Sequence, residues 1–225
     1  MDVDVKTIVK KQNSVLKGRG KMSTYVYLTR HGETVWNTKK LMQGWKDSPL
    51  TGKGIKQARQ LSQRLSDIPL NAIYSSTSDR AVNTAEIIKG ERPLKVIKTD
   101  TLRELSFGSW EGKTFDDNER ESPEEWLSFW ETPHLFSNDT VEPFLKVQDR
   151  MVETINYIVK QHPFETVCIV SHSIALQLLM DYFENNTLEN LWSSPAIPST
   201  SLTLVKINSG SNEILFKYDT SHIEE

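Results

Sequence analysis

Two hydrophobic periodicities alternate along most of the chain. Clusters of β-branched and aromatic residues predict strands at 25–30, 71–75, 94–97, 166–170, 201–207 and 214–218. Apolar residues at helical spacing predict helices between them, at 52–65, 81–88, 144–158 and 174–183. Thr51 is the expected N-cap of the first of these helices. The strand at 166–170 is apolar throughout, which is typical of a central parallel strand, whereas 94–97 alternates and is expected nearer an edge.

This order of elements predicts an α/β fold, with a mostly parallel sheet between two layers of helices. In such sheets, ligands bind outside the carboxyl ends of the strands. Polar groups follow three of the predicted strands: Arg30 and His31 follow the first, Ser75 and Ser76 the second, and Ser171 and His172 the strand at 166–170. Arg80 lies in the turn after Ser76. We therefore expect these groups to meet at one edge of the sheet.

Two histidines and two arginines in one crevice are suited to a phosphoryl group. The guanidinium groups of Arg30 and Arg80 can each donate a fork of hydrogen bonds to phosphoryl oxygens. A neutral His31 can attack phosphorus, and a protonated His172 can stabilise charge in the transition state. Gly32 leaves room for the backbone beside the phosphate. Other arginines, at positions 59, 64 and 103, have no such placement and are expected at the surface.

Glu104 is the candidate proton donor for the leaving alkoxide. It follows the third predicted strand by a few residues. Its neighbours Leu102, Leu105 and Phe107 are apolar, which would favour the protonated carboxyl. The alternative is a structural acid. The remaining histidines, at 134, 162 and 222, are expected to be structural.

Composition narrows the classes of function. The chain has 225 residues and a formal charge of −3 at pH 7, so its charge gives no reason to expect a nucleic-acid partner. No apolar run is long enough to span a bilayer, and no membrane partner is expected. The single cysteine, Cys168, cannot form an internal disulfide. With no apolar segment typical of a secretory signal, a cytoplasmic protein is expected.

Residues 1–21 differ from the rest of the chain. After Asp4 they hold six cations and no acid, namely Lys6, Lys10, Lys11, Lys17, Arg19 and Lys21. We expect a disordered basic extension there, or upstream codons before a start at Met22, followed by a single domain at 22–225. The alternative is a basic arm that binds an anionic surface.

Five motifs together resemble the histidine phosphatase superfamily, with its phosphoglycerate mutase-like fold. They are LTRHGETVWN at 28–37, QGWKDSPLT at 43–51, YSSTSDRA at 74–81, LRELSFGSWEG at 102–112 and VSH at 170–172. Within that superfamily the sequence most resembles broad-specificity phosphatases of Gram-positive bacteria. The resemblance implies a six-stranded sheet with one antiparallel strand and a site that needs neither a metal nor another cofactor.

The resemblance also implies roles for single residues. It makes His31 the nucleophile, Glu104 the proton donor, and Arg30, Arg80 and His172 the phosphate pocket. The side-chain amides of Asn37 and Gln43 match positions that line the same pocket, although both residues could merely cap local turns. Ser173 departs from the family pattern, which commonly has glycine after the second histidine.

The superfamily contains both phosphatases and mutases, and the segment at 106–145 bears on the choice. We expect it to cover the site as a cap. It holds two cations, Lys113 and Arg120, and ten acids, which suits a polyanionic substrate poorly. Its aromatic residues form either a wall for apolar esters or ordinary core packing.

We therefore predict a phosphomonoesterase that acts on a small-molecule phosphoester through a phosphohistidine. A phosphoglycerate mutase and a non-catalytic relative that binds phospho-ligands are the alternatives. Sugar phosphates, phosphoglycerates, nucleotides and the nucleoside phosphates of cobalamin synthesis stay open as substrates, and so does the oligomeric state.

Overall fold

The computed structural model of the protein describes residues 23–208 and 211–224, so the predicted extension at 1–21 lies outside the described residues. Six strands form one sheet in the order β3-β2-β4-β1-β5-β6. They are β1 (Thr24–Arg30), β2 (Ala72–Ser76), β3 (Val96–Thr99), β4 (Thr166–Ser171), β5 (Leu202–Asn208) and β6 (Ser211–Asp219). β5 pairs antiparallel with both of its neighbours, while β1 to β4 pair in parallel. The mostly parallel, six-stranded sheet with one antiparallel strand is therefore confirmed.

The strand positions follow the hydrophobic pattern closely. β4 lies between β1 and β2, and all six of its residues are buried, as predicted for a central strand. β3 lies at the edge, also as predicted, but it begins at Val96 rather than at Leu94. The cause is a turn in which the Leu94 N–H donates to the carbonyl of Arg92, so that pairing with β2 starts only at Val96 and Ile73.

Seven α-helices lie in the described part of the chain. They are α1 (Val35–Thr38), α2 (Gly52–Arg64), α3 (Asp79–Lys89), α4 (Phe115–Glu121), α5 (Pro123–Glu131), α6 (Phe144–Gln161) and α7 (Ser173–Glu184). Thr51 is the N-cap of α2, as predicted, because its Oγ1 accepts a hydrogen bond from the Gly54 N–H. The short helices α1, α4 and α5 were not predicted. Thr114 forms a capping box at the start of α4, and Pro123 occupies the first turn of α5.

Two hydrophobic cores confirm that helices cover both faces of the sheet. On one face, Val26 and Leu28 of β1 share a buried cluster with α6, α7 and the segment 102–144. On the other face, Tyr27 shares a second cluster with Leu61 of α2 and Ile88 of α3. Alternate residues of β1 therefore point to opposite cores, as the geometry of a strand requires. The two cores fix the carboxyl end of β1 from both sides.

The chain after β1 passes unusually close to α2 at two glycines. A Cβ built on Gly32 would lie 2.5 Å from the carbonyl oxygen of Gly54, and one built on Gly54 would overlap the carbonyl oxygen of Glu33. This contact presses the segment that carries His31 against the first turn of α2. The same segment is held by the Gly32 N–H, which donates to Thr84 Oγ1 at 3.0 Å, and by the Glu33 N–H, which donates to Gln57 Oε1 at 3.1 Å.

We predict that Gly54→Ala lowers the free energy of unfolding by about 1–3 kcal/mol, because the added methyl group displaces the segment after β1. Gly52→Ala is the matched control two residues away, since a Cβ there meets nothing within 4 Å. Urea unfolding of both variants is the measurement. Equal stability of the two variants would contradict the close approach.

Candidate active site

The structure brings together the polar groups that follow β1, β2 and β4. The His31 N–H donates to the Ser171 carbonyl at 3.1 Å, which joins the ends of β1 and β4. The rings of His31 and His172 lie edge to face, with centroids 5.2 Å apart. The Nε of Arg80, in the first turn of α3, lies 3.3 Å from His31 Nε2. The expected meeting of these groups at one sheet edge is therefore observed.

A cleft of about 500 Å³ opens over this cluster. Six of the seven predicted site residues line it, namely Arg30, His31, Asn37, Gln43, Arg80 and Glu104. His172 is the exception. It is fully buried and lies beside His31 rather than on the wall of the cleft.

His31 has a defined tautomer and charge. Its Nδ1 lies 2.8 Å from the carbonyl oxygen of Gly32, and because a carbonyl can only accept, Nδ1 carries the proton. Burial lowers the pKa of His31 well below its usual value, and the charges of Arg80 and Arg30 lower it further. The ring is therefore neutral at pH 7, and Nε2 carries a lone pair that faces the Arg80 Nε–H.

Arg30 and Arg80 differ in how many of their N–H groups have a hydrogen-bond acceptor in the protein. Arg80 is 1% exposed, and its other N–H groups donate to the carbonyls of Gly44 and Lys46, both at 2.8 Å, and to Asp47 Oδ1 at 3.0 Å. Arg30 donates to the Ile197 carbonyl at 2.8 Å, while its Nε is buried without a partner among the described residues. Burial lowers the pKa of Arg30, which nevertheless stays a cation at neutral pH.

His172 is also neutral in the resting protein, which changes one expectation from the sequence. Burial lowers its pKa well below the usual value, and Arg80, His31 and Arg30 lower it further. Its Nε2 lies 2.8 Å from Ser76 Oγ, a partner that can donate or accept. Its Nδ1 is buried without a partner among the described residues. An unoccupied polar atom beside His31 is suited to a hydrogen bond with an incoming oxygen atom.

Glu104 sits in a more polar environment than its sequence neighbours suggested. Its Oε1 accepts hydrogen bonds from the backbone N–H groups of Leu105 and Ala175, both at 2.9 Å, and its Oε2 accepts from Ile174 at 3.1 Å. Two of these donors, the N–H groups of Ile174 and Ala175, belong to the first turn of α7. The apolar surroundings expected from Leu102, Leu105 and Phe107 are therefore only part of its environment.

Both predicted amide residues line the cleft, and one of them also caps a turn. Asn37 Oδ1 accepts from the N–H and the hydroxyl of Thr34, at 3.0 and 2.9 Å, within the capping box of α1. This leaves the amide nitrogen as the end available to a ligand. Gln43 is nearly buried, and its Oε1 lacks a partner among the described residues. An unpartnered amide on the wall of a cleft is suited to bind a polar ligand.

The outer part of the cleft is apolar and largely aromatic. It is lined by Phe107, Phe115 and Trp130 of the 106–145 segment and by Trp192 of the loop after α7. Three other aromatic residues of the segment, Trp110, Trp126 and Phe129, are buried in the core. Some aromatic residues of the segment therefore line the cleft, and others pack in the core. Ser173 and Gln177, one turn apart on α7, add a polar side to the same cleft.

Sequence reasoning missed the residue that anchors the Glu104 loop. Arg150 of α6 binds the carboxylate of Glu142 with two hydrogen bonds, at 3.0 and 2.9 Å, and donates to the carbonyls of Thr101, Arg103 and Glu104 at 2.7–3.0 Å. An arginine in the middle of a helix has no local pattern that marks this role. Arg103, expected at the surface, is half-buried, with its guanidinium 4.6 Å from the ring centroid of Trp45.

The described residues contain no group of three or more His, Cys, Asp or Glu side chains that could hold a metal ion. None of the helices in the described ranges is long and apolar enough to cross a bilayer. Outside the cluster, His162 bridges Tyr74 and Glu165, at 2.9 and 2.7 Å, which is a structural role.

The comparisons with known proteins agree with one another. The model of the Histidine phosphatase superfamily (branch 1) matches residues 26–220. Phosphoserine phosphatase 1 of Hydrogenobacter thermophilus is 31% identical over 198 residues, 88% of this chain and 93% of that protein. The probable phosphoglycerate mutase GpmB of Escherichia coli O1:K1 / APEC is 43% identical over 162 residues, 69% of this chain and 72% of that protein.

Among solved structures, YhfR of Bacillus stearothermophilus has a TM-score of 0.87 and 45% identity, and the match covers 89% of this chain and 100% of that one. The resemblance that the five motifs carried is therefore confirmed, including its likeness to proteins of Gram-positive bacteria.

The buried neutral histidines predict a pH dependence of stability. Because the pKa of His172 is lowered in the folded state, the unfolded chain binds more protons below about pH 6.5, and the stability present above that pH is lost as pH falls. We predict that His172→Gln removes about 1 kcal/mol of the stability loss between pH 7 and pH 5.5. Urea unfolding of both proteins at both pH values is the measurement. The same pH dependence in both would contradict a buried neutral His172.

Proposed function

The chain is a phosphoric monoester hydrolase of the histidine phosphatase superfamily, branch 1, and we propose that it acts without a metal, through a phosphohistidine at His31. The observation that carries this proposal is the tautomer of His31. The Nδ1–H donates to the Gly32 carbonyl, so the lone pair lies on Nε2 and faces the Arg80 Nε–H. Both His31 and Arg80 line the cleft. A ring held in this way is prepared to attack rather than to donate.

In the first step, His31 Nε2 attacks phosphorus in line while the ester P–O bond breaks. The Arg80 Nε–H, which points at Nε2 in the free protein, moves its hydrogen bond to a phosphoryl oxygen and releases the lone pair. Arg30, Gln43 and Asn37 offer further donors at the cleft wall. The charge that develops on the phosphoryl oxygens is stabilised by these fixed donors.

The leaving alkoxide takes a proton from Glu104, the one acid among the described residues that line the cleft. In the second step the resulting carboxylate takes a proton from water as the water oxygen attacks phosphorus. The N–P bond breaks, inorganic phosphate leaves, and His31 returns to its neutral state with Glu104 protonated. The unpartnered Nδ1 of His172, behind His31, can donate to a phosphoryl oxygen that reaches it when its Nε2 accepts from the Ser76 hydroxyl.

The substrates that we propose are small phosphorylated metabolites whose leaving group has an apolar or aromatic part. Beyond the phosphate end, the cleft wall is formed by Phe107, Phe115, Trp130 and Trp192. Arg30 and Arg80 are the only cations among the described residues that line it. A leaving group with its own carboxylate or second phosphate would therefore lack a positive partner there.

A phosphoglycerate mutase is the second candidate, because GpmB, described as a probable phosphoglycerate mutase, is 43% identical to the chain over 162 residues. A mutase must retain a bisphosphorylated intermediate and return it to the site. The ten acids and two cations at 106–145 disfavour such a polyanion.

We predict fast hydrolysis of p-nitrophenyl phosphate and slow conversion of 3-phosphoglycerate in the presence of bisphosphoglycerate. Release of inorganic phosphate and formation of 2-phosphoglycerate are measured in parallel, with and without a chelator. Fast formation of 2-phosphoglycerate with negligible phosphate release would establish the mutase instead. Loss of hydrolysis on chelation would contradict the metal-free site, and inactivity on every phosphoester would favour a binding protein.

A further inference from the structure

We propose that Glu111 is a positioning residue whose carboxylate holds the 43–47 loop, and through that loop both Arg80 and Glu104, in the geometry that the reaction needs. This inference rests on the proposed function, since it assigns Arg80 and Glu104 their parts in phosphoryl transfer. Glu111 itself is not among the residues that line the cleft.

The carboxylate of Glu111 accepts three backbone hydrogen bonds from two separate segments. Its Oε1 accepts from the Trp45 N–H at 2.8 Å and the Phe107 N–H at 3.1 Å, and its Oε2 accepts from the Lys46 N–H at 3.1 Å. The Lys46 ammonium returns a bond to the Glu111 carbonyl at 3.0 Å. Hydrogen bonds to a charged acceptor are stronger than neutral ones, so this single side chain ties the loop to the segment that follows Glu104.

The loop is shaped around this carboxylate. Gly44 adopts a left-handed conformation, with φ +53°, and a Cβ built on it would overlap Glu111 Oε1. Only glycine fits both conditions at this position. The close approach places the Gly44 carbonyl on the opposite side of the loop, where it meets Arg80.

Arg80 depends on the loop for almost all of its hydrogen bonds. Its N–H groups donate to the carbonyls of Gly44 and Lys46 and to the carboxylate of Asp47. These acceptors fix the guanidinium plane, and the remaining Nε–H points at His31 Nε2. A shift of the loop would therefore rotate the donor that is meant for the phosphoryl group.

Glu104 is linked to the same loop from the other side. The indole N–H of Trp45 donates to the Glu104 carbonyl at 2.9 Å, and the guanidinium of Arg103 lies 4.6 Å from the centroid of the Trp45 ring. Through its bonds to Trp45 and Lys46, Glu111 thus holds the loop whose carbonyls orient the Arg80 guanidinium. The same loop carries the indole that binds the carbonyl of Glu104.

The test begins with Glu111→Gln, which keeps the size of the side chain but replaces one acceptor oxygen with an NH2 group. We expect kcat/KM for p-nitrophenyl phosphate to fall about tenfold or more, since small misplacements of catalytic groups have effects of this size. The inhibition constant of inorganic phosphate should rise in the same variant, because phosphate binds more weakly to a misplaced Arg80. The matched control is Glu131→Gln, which makes the same charge change on an exposed residue of α5 and should leave both values unchanged.

A double-mutant cycle separates positioning from general damage. In an Arg80→Ala background, Glu111→Gln should have little further effect on phosphate inhibition, because the group that it positions is gone. An equal effect in both backgrounds would overturn the inference, and so would a Glu111→Gln protein with wild-type rates. If Arg80→Ala itself kept full hydrolysis, the proposed function would fail rather than this inference.

Trp45→Phe tests the second branch and serves if Glu111→Gln does not fold. It removes one of the two side-chain donors to the Glu104 carbonyl, leaves the Arg150 bond in place and retains the loop backbone. We expect kcat for an alkyl phosphate, whose leaving group needs a proton, to fall more than kcat for p-nitrophenyl phosphate, whose leaving group does not. An equal fall for both substrates, or no fall, would show that the loop does not position the proton donor.

Discussion

The site depends on one buried and one partly buried guanidinium group, which lie beside two buried imidazole rings. Arg30 and Arg80 lie with His31 and His172 at the carboxyl ends of β1, β2 and β4, and both rings are kept neutral by burial and by the neighbouring positive charges. Buried cations are costly unless hydrogen bonds replace their water. The surrounding loops provide the acceptors: Arg80 donates to Gly44, Lys46 and Asp47, and Arg30 donates to Ile197.

This requirement explains why the site is assembled from distant segments. A parallel sheet places the ends of its strands on one edge but supplies few acceptors there, because the carbonyls of the strands already pair within the sheet. The loops at 43–47 and 188–200 add the acceptors, while the segment at 102–112 adds Glu104 and Glu111. Arg150 then fixes that last segment from α6, with the Ser171 hydroxyl donating to Leu102 at 2.8 Å. The aromatic residues beyond Glu111 both complete the core and line the outer cleft.

The sequence was most informative where periodicity and topology act together. The central position of β4, the edge position of β3 and the N-cap at Thr51 follow from apolar patterns and capping chemistry, and the meeting of Arg30, His31, Arg80 and His172 follows from strand order. The helices α4 and α5 were missed because both are short: α4 is almost entirely polar, and the helical spacing of Trp126, Phe129 and Trp130 in α5 extends over little more than one turn. The roles of Arg150 and Glu111 were missed for another reason. Each acts through hydrogen bonds to backbone groups far away in the sequence, and such bonds leave no local pattern.

The central claim is that His31 is phosphorylated during turnover, and rapid-quench trapping with ³²P-labelled p-nitrophenyl phosphate tests it most directly. We predict label on the peptide that contains His31, lost in acid and retained in base, as expected for a phosphoramidate, and absent from His31→Ala. Label on a different residue would contradict a phosphohistidine at His31, and so would a His31→Ala protein that hydrolyses the substrate at the wild-type rate.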